Sequence, residues 1–261
     1  MPERDFYVAR KRKERVMEGI VDIHCHIVPK VDDGAENFRM AQQMMYRSAD
    51  DNIRCIIATP HYRPELFRVS WKEILLRYGK LCELAERSGT GVEFYQGCEV
   101  HCSADIVELI KKHSCLRLGG SRYVLLEFPE RYSLRRMQSQ IYDMTAAGFI
   151  PIVAHAERYP VLAGSAAGIR ELRTQGAMIQ VNAGSVTGQN GWKIRSLCAA
   201  LMKDDLIDFF ASDAHNMSGR RPDLGECARY VEKKMGFHYT HKVLVENPMC
   251  IIREMNDRLR K

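Results

Sequence analysis

The feature that most constrains the fold is a regular alternation of short apolar runs with longer amphipathic segments. Seven runs are rich in β-branched residues and predict buried strands, at Gly19–His24, Cys55–Thr59, Val92–Gly97, Tyr123–Phe128, Ile150–Ala154, Met178–Asn182 and Ile207–Ser212. The segments between them have the apolar spacing of helices, and a terminal helix is expected over Asn247–Lys261. Strands that alternate with helices predict a parallel sheet, and the absence of a linker-like break favours one closed α/β barrel.

Length and composition are those of an ordinary globular protein. The chain has 261 residues, of which 46% are hydrophobic and 28% are charged, so disorder and coiled coil are excluded. Lysine and arginine exceed aspartate and glutamate by 39 − 33 = 6. This mild excess suits an anionic substrate, but it is too small to indicate a nucleic-acid partner.

The cysteine content and the apolar stretches of the sequence indicate the cellular compartment of the protein. Nine cysteines, an odd number without framework spacing, indicate reduced thiols and a cytoplasmic protein. We expect no transmembrane segment, because no stretch reaches the roughly 18 apolar residues that a spanning helix needs. Residues 1–17 are interpreted as a basic extension and residues 18–261 as a single domain. The run from Arg10 to Arg15 is either a solvated helical face or an arm that touches a membrane surface or partner.

The predicted strands share a chemical feature at their carboxyl ends. Six of the seven deliver a histidine, aspartate or glutamate there, and only the strand ending at Asn182 brings no strong ligand. Parallel barrels place their active sites at this edge, because the loops that follow the strands radiate from it. The candidate metal ligands are His24, His26, Asp33, His61, Glu99, Glu127, His155, Asp213 and His215.

This donor set predicts a centre with several metal ions. Imidazole and carboxylate suit Mn, Fe or Zn, whereas four clustered carboxylates without cations would repel one another. Nine donors are too many for one ion with four to six ligands, so two or three divalent ions are implied. Asp22 either orients the neighbouring histidines or has a structural role. Four histidines lack the strand-end placement and are interpreted as surface residues: His101, His113, His238 and His241.

Six sequence blocks carry a resemblance to a known family. HCHIVPKVDDG, TPHYRP, GCE, LEFPE, AHAERY and SDAHN resemble the PHP (polymerase and histidinol phosphatase) superfamily. Within it, they are most similar to bacterial manganese-dependent tyrosine phosphatases of capsule and exopolysaccharide operons. The likeness runs from about residue 18 to the carboxyl terminus.

The resemblance implies a distorted (β/α)7 barrel of the PHP type with three metal sites, Mn being the expected ion. It implies that phosphate is bound by Arg158 and Arg220, with Arg221 as an alternative to the latter. It also implies three ligand neighbourhoods, with Glu99 as a bridge: His24, His26, Glu99 and Asp213; His61, Glu99 and His155; Asp33, Glu127 and His215.

The expected reaction is hydrolysis of a phosphate monoester by a water that the metals activate. Arg158 and Arg220 would stabilise the developing charge, and His215 is a candidate proton donor. A phosphocysteine mechanism is excluded, because no cysteine is followed by an arginine at the sixth residue after it. Three functions stay open: a phosphatase for the tyrosine-rich tail of a bacterial autokinase, a small-molecule phosphatase or phosphodiesterase, and a silent metal-binding module.

The rim of the site would decide between a protein substrate and a small one. We expect it to be formed by the loops Tyr62–Ser70 and Gly184–Gly191. A tyrosine tail needs an open, shallow rim, whereas a small metabolite prefers a deep pocket. Tyr62, Phe67 and Trp192 are either peptide contacts or helix-packing residues.

Overall fold

The computed structural model describes residues 19–163 and 166–259. The basic extension expected at residues 1–17 lies outside this part of the chain. The division into an extension and a single domain over residues 18–261 therefore stays a prediction.

Parallel strands form the centre of the molecule. They are β1 (Ile20–Cys25), β2 (Ile53–Ala58), β3 (His61–Tyr62), β4 (Glu93–Gln96), β5 (Glu99–His101), β6 (Tyr123–Glu127), β7 (Ile150–Val153), β8 (Met178–Asn182) and β9 (Phe209–Ala211). Hydrogen bonds order them as β1-β2-β4 and as β3-β5-β6-β7-β8-β9. Two pairs, β2 with β3 and β4 with β5, are each separated by two residues, so the nine strands occupy seven positions. Pro60 stands in the first gap and has no amide hydrogen for a ladder.

The first and last strands meet and close the sheet on itself. A parallel bridge joins Cys25 to Ala214, and the amide of His26 donates to the carbonyl of Ala214 at 2.9 Å. The amide of Asp213 likewise donates to the carbonyl of His24 at 2.8 Å. The expected (β/α)7 barrel is confirmed, and its closure lies beside the predicted metal ligands.

Helices cover the outside of the sheet. They are α1 (Phe38–Asp50), α2 (Trp71–Ser88), α3 (Ile106–Lys112), α4 (Leu134–Ala146), α5 (Ala166–Thr174), α6 (Ala183–Thr187), α7 (Trp192–Lys203), α8 (Leu224–Met235), α9 (Phe237–His241) and α10 (Asn247–Leu259). Side-chain caps start three of them, since Asn37, Ser70 and Ser133 each accept a backbone amide hydrogen three residues on. The sequence did not predict α6, because the Gly184–Gly191 segment was interpreted as a loop. No helix in the described ranges combines the length and apolarity needed to cross a bilayer.

The hydrophobic core has two parts that leave one end of the barrel free. One cluster lies between the strands and the surrounding helices, and the other includes Val21, Phe209 and Met255. Helix α10 packs at the amino ends of the strands, where Glu254 accepts the amide hydrogen of Arg122 at 2.8 Å, just before β6. The opposite, carboxyl end is therefore the end available for a polar site.

Candidate metal centre

All nine predicted ligands lie together at the carboxyl end of the barrel. The ligand atoms fall into three groups, within each of which they lie within 4.8 Å of one another: His26, Asp33, His61 and His215; His24, His26 and Asp213; Glu99, Glu127 and His155. The side chain of Asp33 is 54% exposed, whereas those of Glu99 and Asp213 are each only 1% exposed. Such a concentration of buried acids and imidazoles matches the donor set that the sequence indicated.

Glu99 occupies the middle of the cluster. Its Oε2 lies 3.3 Å from Nε2 of His24, 3.2 Å from Nε2 of His26 and 3.0 Å from Nδ1 of His61. Its Oε1 lies 2.8 Å from Nε2 of His155. One carboxylate thus faces four imidazoles from different strands or their ends, which is the placement that a bridging ligand needs.

The grouping agrees in part with the one that the resemblance implied, since His24, His26 and Asp213 lie together and Asp33 lies with His215. His61 lies with Asp33 and His215, and Glu127 lies with Glu99 and His155 rather than with Asp33 and His215. Sheet order explains the difference: β6 lies between β5 and β7, so Glu127 at its end meets the residues of those two strands. His215 follows β9, which lies next to β8 and meets β1 where the barrel closes, and β9 is not a neighbour of β6.

Polar partners at Nδ1 orient the rings of His24 and His26 so that their Nε2 atoms face the cluster. Nδ1 of His26 lies 2.7 Å from Oδ2 of Asp32, and Nδ1 of His24 lies 3.1 Å from Oε1 of Gln180. Their Nε2 atoms consequently face each other at 3.1 Å. Asp22, considered for this role, instead accepts backbone amides of His24 and Ser212. Asp32 and Gln180 therefore perform the orienting that was considered for Asp22, and such contacts fix ring orientation in metal sites.

Backbone strain occurs at two of the clustered positions. His155 and Asp213 have φ values of +35° and +50°, a left-handed region that non-glycine residues seldom adopt. Each lies shortly after a strand, His155 after β7 and Asp213 after β9. Strain of this kind concentrates at functional sites, where the surrounding structure holds it in place.

The charges at the site favour cations. Burial raises the pKa of Glu99, but the neighbouring His24 and His155 bring it well below its usual value. Burial also opposes ionisation of Asp213, yet His24 and Arg220 lower its pKa. The neighbouring imidazole of His215 lowers the pKa of Asp33. Several ionised carboxylates thus converge at one place.

The residues present fit a group of divalent ions. Nε2 of His215, which faces Oδ1 of Asp33 at 3.5 Å, is buried and has no hydrogen-bond partner among the described residues. An unpaired buried polar atom is costly, and a coordinated cation would satisfy it. The set of five imidazoles and four carboxylates is one that Mn, Fe and Zn accept.

Two predicted arginines lie over the cluster. Arg220 donates to Oδ1 of Asp213 at 2.7 Å, and Arg158 donates to Oδ2 of the same residue at 3.4 Å. Both line the cavity above the cluster. Arg221 instead donates to Asp223 at 3.2 Å, so the geometry favours Arg220 of the two alternatives.

The cavity has a volume of about 210 Å³. Its lining is formed by Asp33, His61, Arg63, Leu66, Phe67, Glu99, Glu127, His155, Arg158 and Arg220. The loop Tyr62–Ser70 therefore contributes to the rim as expected, but none of the lining residues comes from Gly184–Gly191. Part of that second segment is helix α6, whose residues Ala183, Ser185 and Val186 are buried.

The three aromatic residues considered for the rim lie in different environments. Phe67 lines the cavity, and its ring is stacked on that of His61 with centroids 5.4 Å apart. Tyr62 packs against the hydrophobic core. Trp192 is 76% exposed and is not among the residues that line the cavity, so the structure supports neither interpretation for this residue.

Sequence reasoning missed three polar residues that support the cluster. His101, interpreted as a surface residue, is only 16% exposed, and its Nδ1 lies 2.8 Å from Oε2 of Glu127. Gln180 accepts the amide hydrogen of His155 at 2.8 Å, and its amide donates to Asn182. Asn182 in turn donates to Asp213 at 2.7 Å. The sequence offered a signal for two of them, because Gln180 and Asn182 are two residues apart on β8 and their side chains therefore lie on the same face of the strand.

Comparisons with known proteins agree with this geometry. The family described as capsular polysaccharide synthesis, CpsB/CapC, matches residues 20–253. The chain is 29% identical over 234 residues to the tyrosine-protein phosphatase YwqE of Bacillus subtilis, which covers 90% of this chain and 92% of the relative. It is 28% identical to the tyrosine-protein phosphatase CpsB of Streptococcus pneumoniae, over 89% of this chain and 98% of the relative.

Solved structures show the same architecture. A crystal structure from work on YwqE of Bacillus subtilis and CpsB of Streptococcus pneumoniae, described as unique metal-dependent tyrosine phosphatases, superposes with a TM-score of 0.84. It is 29% identical and covers 90% of this chain and 95% of that one. A histidinol phosphate phosphatase of Lactococcus lactis has a TM-score of 0.57 at 16% identity, over 84% and 95% of the two chains, and shares the fold.

Proposed function

The chain belongs to the CpsB/CapC family of capsular polysaccharide synthesis, and from this premise we propose that it is a metal-dependent protein-tyrosine phosphatase. The observation that carries the proposal is the convergence of nine predicted ligand side chains, five of which line the same cavity as Arg158 and Arg220. The relatives that are named tyrosine-protein phosphatases support the same activity.

The three groups of donors would hold two or three divalent ions, and Mn is the ion we propose. When bound, such ions lower the pKa of water and neutralise charge on a phosphoryl group. His24 and His26 present Nε2 to this site because their Nδ1 atoms are engaged by Gln180 and Asp32. Glu99 lies between the histidines and is our proposed bridging ligand.

The arginines would bind the substrate. A guanidinium forms paired hydrogen bonds with phosphate oxygens, so Arg158 and Arg220 can orient the phosphoryl group and stabilise its charge. Both already contact Asp213, and their side chains are 45% and 39% exposed. They are therefore held near the metal ligands and remain accessible from the cavity.

His215 fits a ligand role better than that of a proton donor. Its Nδ1 lies 3.0 Å from the carbonyl oxygen of Asp213, which can only accept a hydrogen bond. Nδ1 therefore carries the proton, and Nε2 offers a lone pair towards Asp33 at 3.5 Å. A phenolate leaving group, with a parent pKa of about 10, needs less acid assistance than an alkoxide does.

The form of the cavity favours a side chain of a protein over a free metabolite. Its volume of about 210 Å³ is below the roughly 300 Å³ at which small-molecule pockets begin. Leu66, at the opening, is 57% exposed. We propose the tyrosine-rich tail of a bacterial autokinase as substrate and the cytoplasm as location, the latter in keeping with nine cysteines, an odd number without framework spacing.

Turnover of two substrates tests the proposal. The protein is stripped with a chelator, Mn²⁺ is restored, and kcat/KM is measured for a phosphotyrosine peptide and for histidinol phosphate. We expect the peptide to be the better substrate and His155→Ala to abolish turnover while the fold is retained. A clear preference for histidinol phosphate would establish the small-molecule alternative. Full turnover by His155→Ala would exclude the metal cluster from catalysis.

A further inference from the structure

The cavity above the metal ligands has an apolar side as well as a charged one. Of the ten residues that line it, eight are charged or are histidines, and the remaining two are Leu66 and Phe67. These two are adjacent in the chain and belong to the segment between β3 and α2. The apolar surface is therefore confined to one stretch of the wall.

The stretch is held in a defined conformation. The amides of Leu66 and Phe67 both donate to the carbonyl of Arg63 at 2.9 Å, which closes a turn. The ring of Phe67 lies nearly parallel to the imidazole of His61, with 7° between the planes. Ser70 then caps α2 by accepting the amide hydrogen of Glu73. Phe67 is thus fixed beside a predicted metal ligand.

We propose that Leu66 and Phe67 form the wall that recognises the phenyl ring of phosphotyrosine and so select aryl over alkyl phosphate esters. The inference rests on the proposed function and names the specificity-determining residues of that site. A phosphate bound at the arginines and ligands directs its leaving group towards the opening, where these two side chains lie. A planar ring is long enough to contact them, whereas the single methylene of phosphoserine is not.

Two variants separate ring recognition from support of the metal site. Leu66→Ala removes half of the wall and keeps the stack between Phe67 and His61. Phe67→Ala removes the stacked ring as well, so its metal content is measured by mass spectrometry. Trp192→Ala is the matched control, because this exposed aromatic residue lies outside the cavity.

The Mn²⁺-loaded proteins are assayed with phosphotyrosine and phosphoserine peptides of the same sequence. We expect each wall variant to lower kcat/KM for the phosphotyrosine peptide about tenfold, mainly through KM, as befits one lost aromatic or aliphatic contact. Activity on the phosphoserine peptide should change less than twofold, and the control should match the unaltered protein. Equal losses on both peptides, or no loss on phosphotyrosine, would overturn the proposal.

A binding measurement keeps the inference separate from the phosphatase activity. Calorimetry compares phenylphosphonate with methylphosphonate, neither of which is hydrolysed, on the Mn²⁺-loaded protein. We expect the phenyl compound to bind more tightly and Leu66→Ala to remove most of that preference. If the protein hydrolyses no phosphotyrosine but the preference is present and depends on Leu66, the proposed reaction fails and the ring-binding wall stands. Equal affinity for both phosphonates would overturn the wall.

Discussion

Oδ2 of Asp32 lies 2.7 Å from Nδ1 of His26 and also accepts the amide hydrogen of His61 at 2.9 Å. One carboxylate thus orients a histidine on the loop after β1 and fixes the backbone of a second histidine on β3. Its other oxygen accepts the amide hydrogen of Gly34 at 2.9 Å, which holds the loop that carries Asp33. Asp32 therefore positions three predicted ligands without belonging to any of the three donor groups.

Asp32→Asn should weaken metal binding. The amide keeps the shape of the side chain but loses the charge that orients His26, and changes of this kind cost about 10–100-fold in metal affinity or activity. Competition with a metal indicator measures the affinity, and Asp50→Asn, on the exposed face of α1, is the control. Unchanged affinity in Asp32→Asn would show that the carboxylate has no positioning role.

Gly34→Ala should disrupt the same loop. A Cβ atom at this position would overlap the carbonyl oxygen of His26, which is backbone and cannot rotate away. We expect Asp33 to be displaced, with loss of metal affinity and turnover. Gly79→Ala in α2 is the control, because no atom lies within 4 Å of its added methyl group, and a gain of up to about 1 kcal/mol in stability is expected there. Normal metal binding by Gly34→Ala would contradict the prediction.

Replacing Arg220 should reduce turnover far more than replacing its neighbour Arg221. Arg220→Ala removes a donor from the cavity, and we expect kcat/KM to fall about 10²–10³-fold, as when one charge-stabilising donor is lost. Arg221→Ala breaks only the contact with Asp223, so turnover should stay within a few-fold of the unaltered protein. Steady-state kinetics on a phosphotyrosine peptide measures both variants. The reverse order of effects would assign phosphate binding to Arg221.

Gln180→Leu should destabilise the protein. The change leaves the buried amide of His155 and the ring of His24 without the oxygen that both now face. An unsatisfied buried group costs about 1–3 kcal/mol, so the free energy of unfolding in urea should fall by that amount. Gln43→Leu on the exposed face of α1 should stay within about 0.5 kcal/mol. Equal stability of the two variants would show that the network contributes nothing.

Much of the fold was predictable from hydrophobic periodicity. Each of the seven expected strands is present. Periodicity did not predict the short strands β3 and β5, because two or three residues, with histidine or glutamate among them, are too few to show an apolar period. It also missed α6, a helix of five residues in a glycine-containing segment, which is too short to show a period.

The candidate site, like the fold, was predictable only in part. Residue type and strand-end position brought together all nine predicted ligands, because a parallel sheet aligns its carboxyl ends. The placement of His61 and Glu127 among the groups was not predicted, since it depends on which strands are neighbours in the closed barrel. The part played by His101 and Gln180 was hidden for a different reason: their partners, Glu127 and His155, lie on other strands.

We expect the nine side chains at the carboxyl end of the barrel to bind several divalent ions, and anomalous diffraction from crystals of the Mn²⁺-loaded protein would locate those ions. Two or three anomalous peaks should lie among these side chains, with Glu99 in contact with more than one of them. Absence of peaks there, or peaks only elsewhere on the molecule, would contradict this expectation.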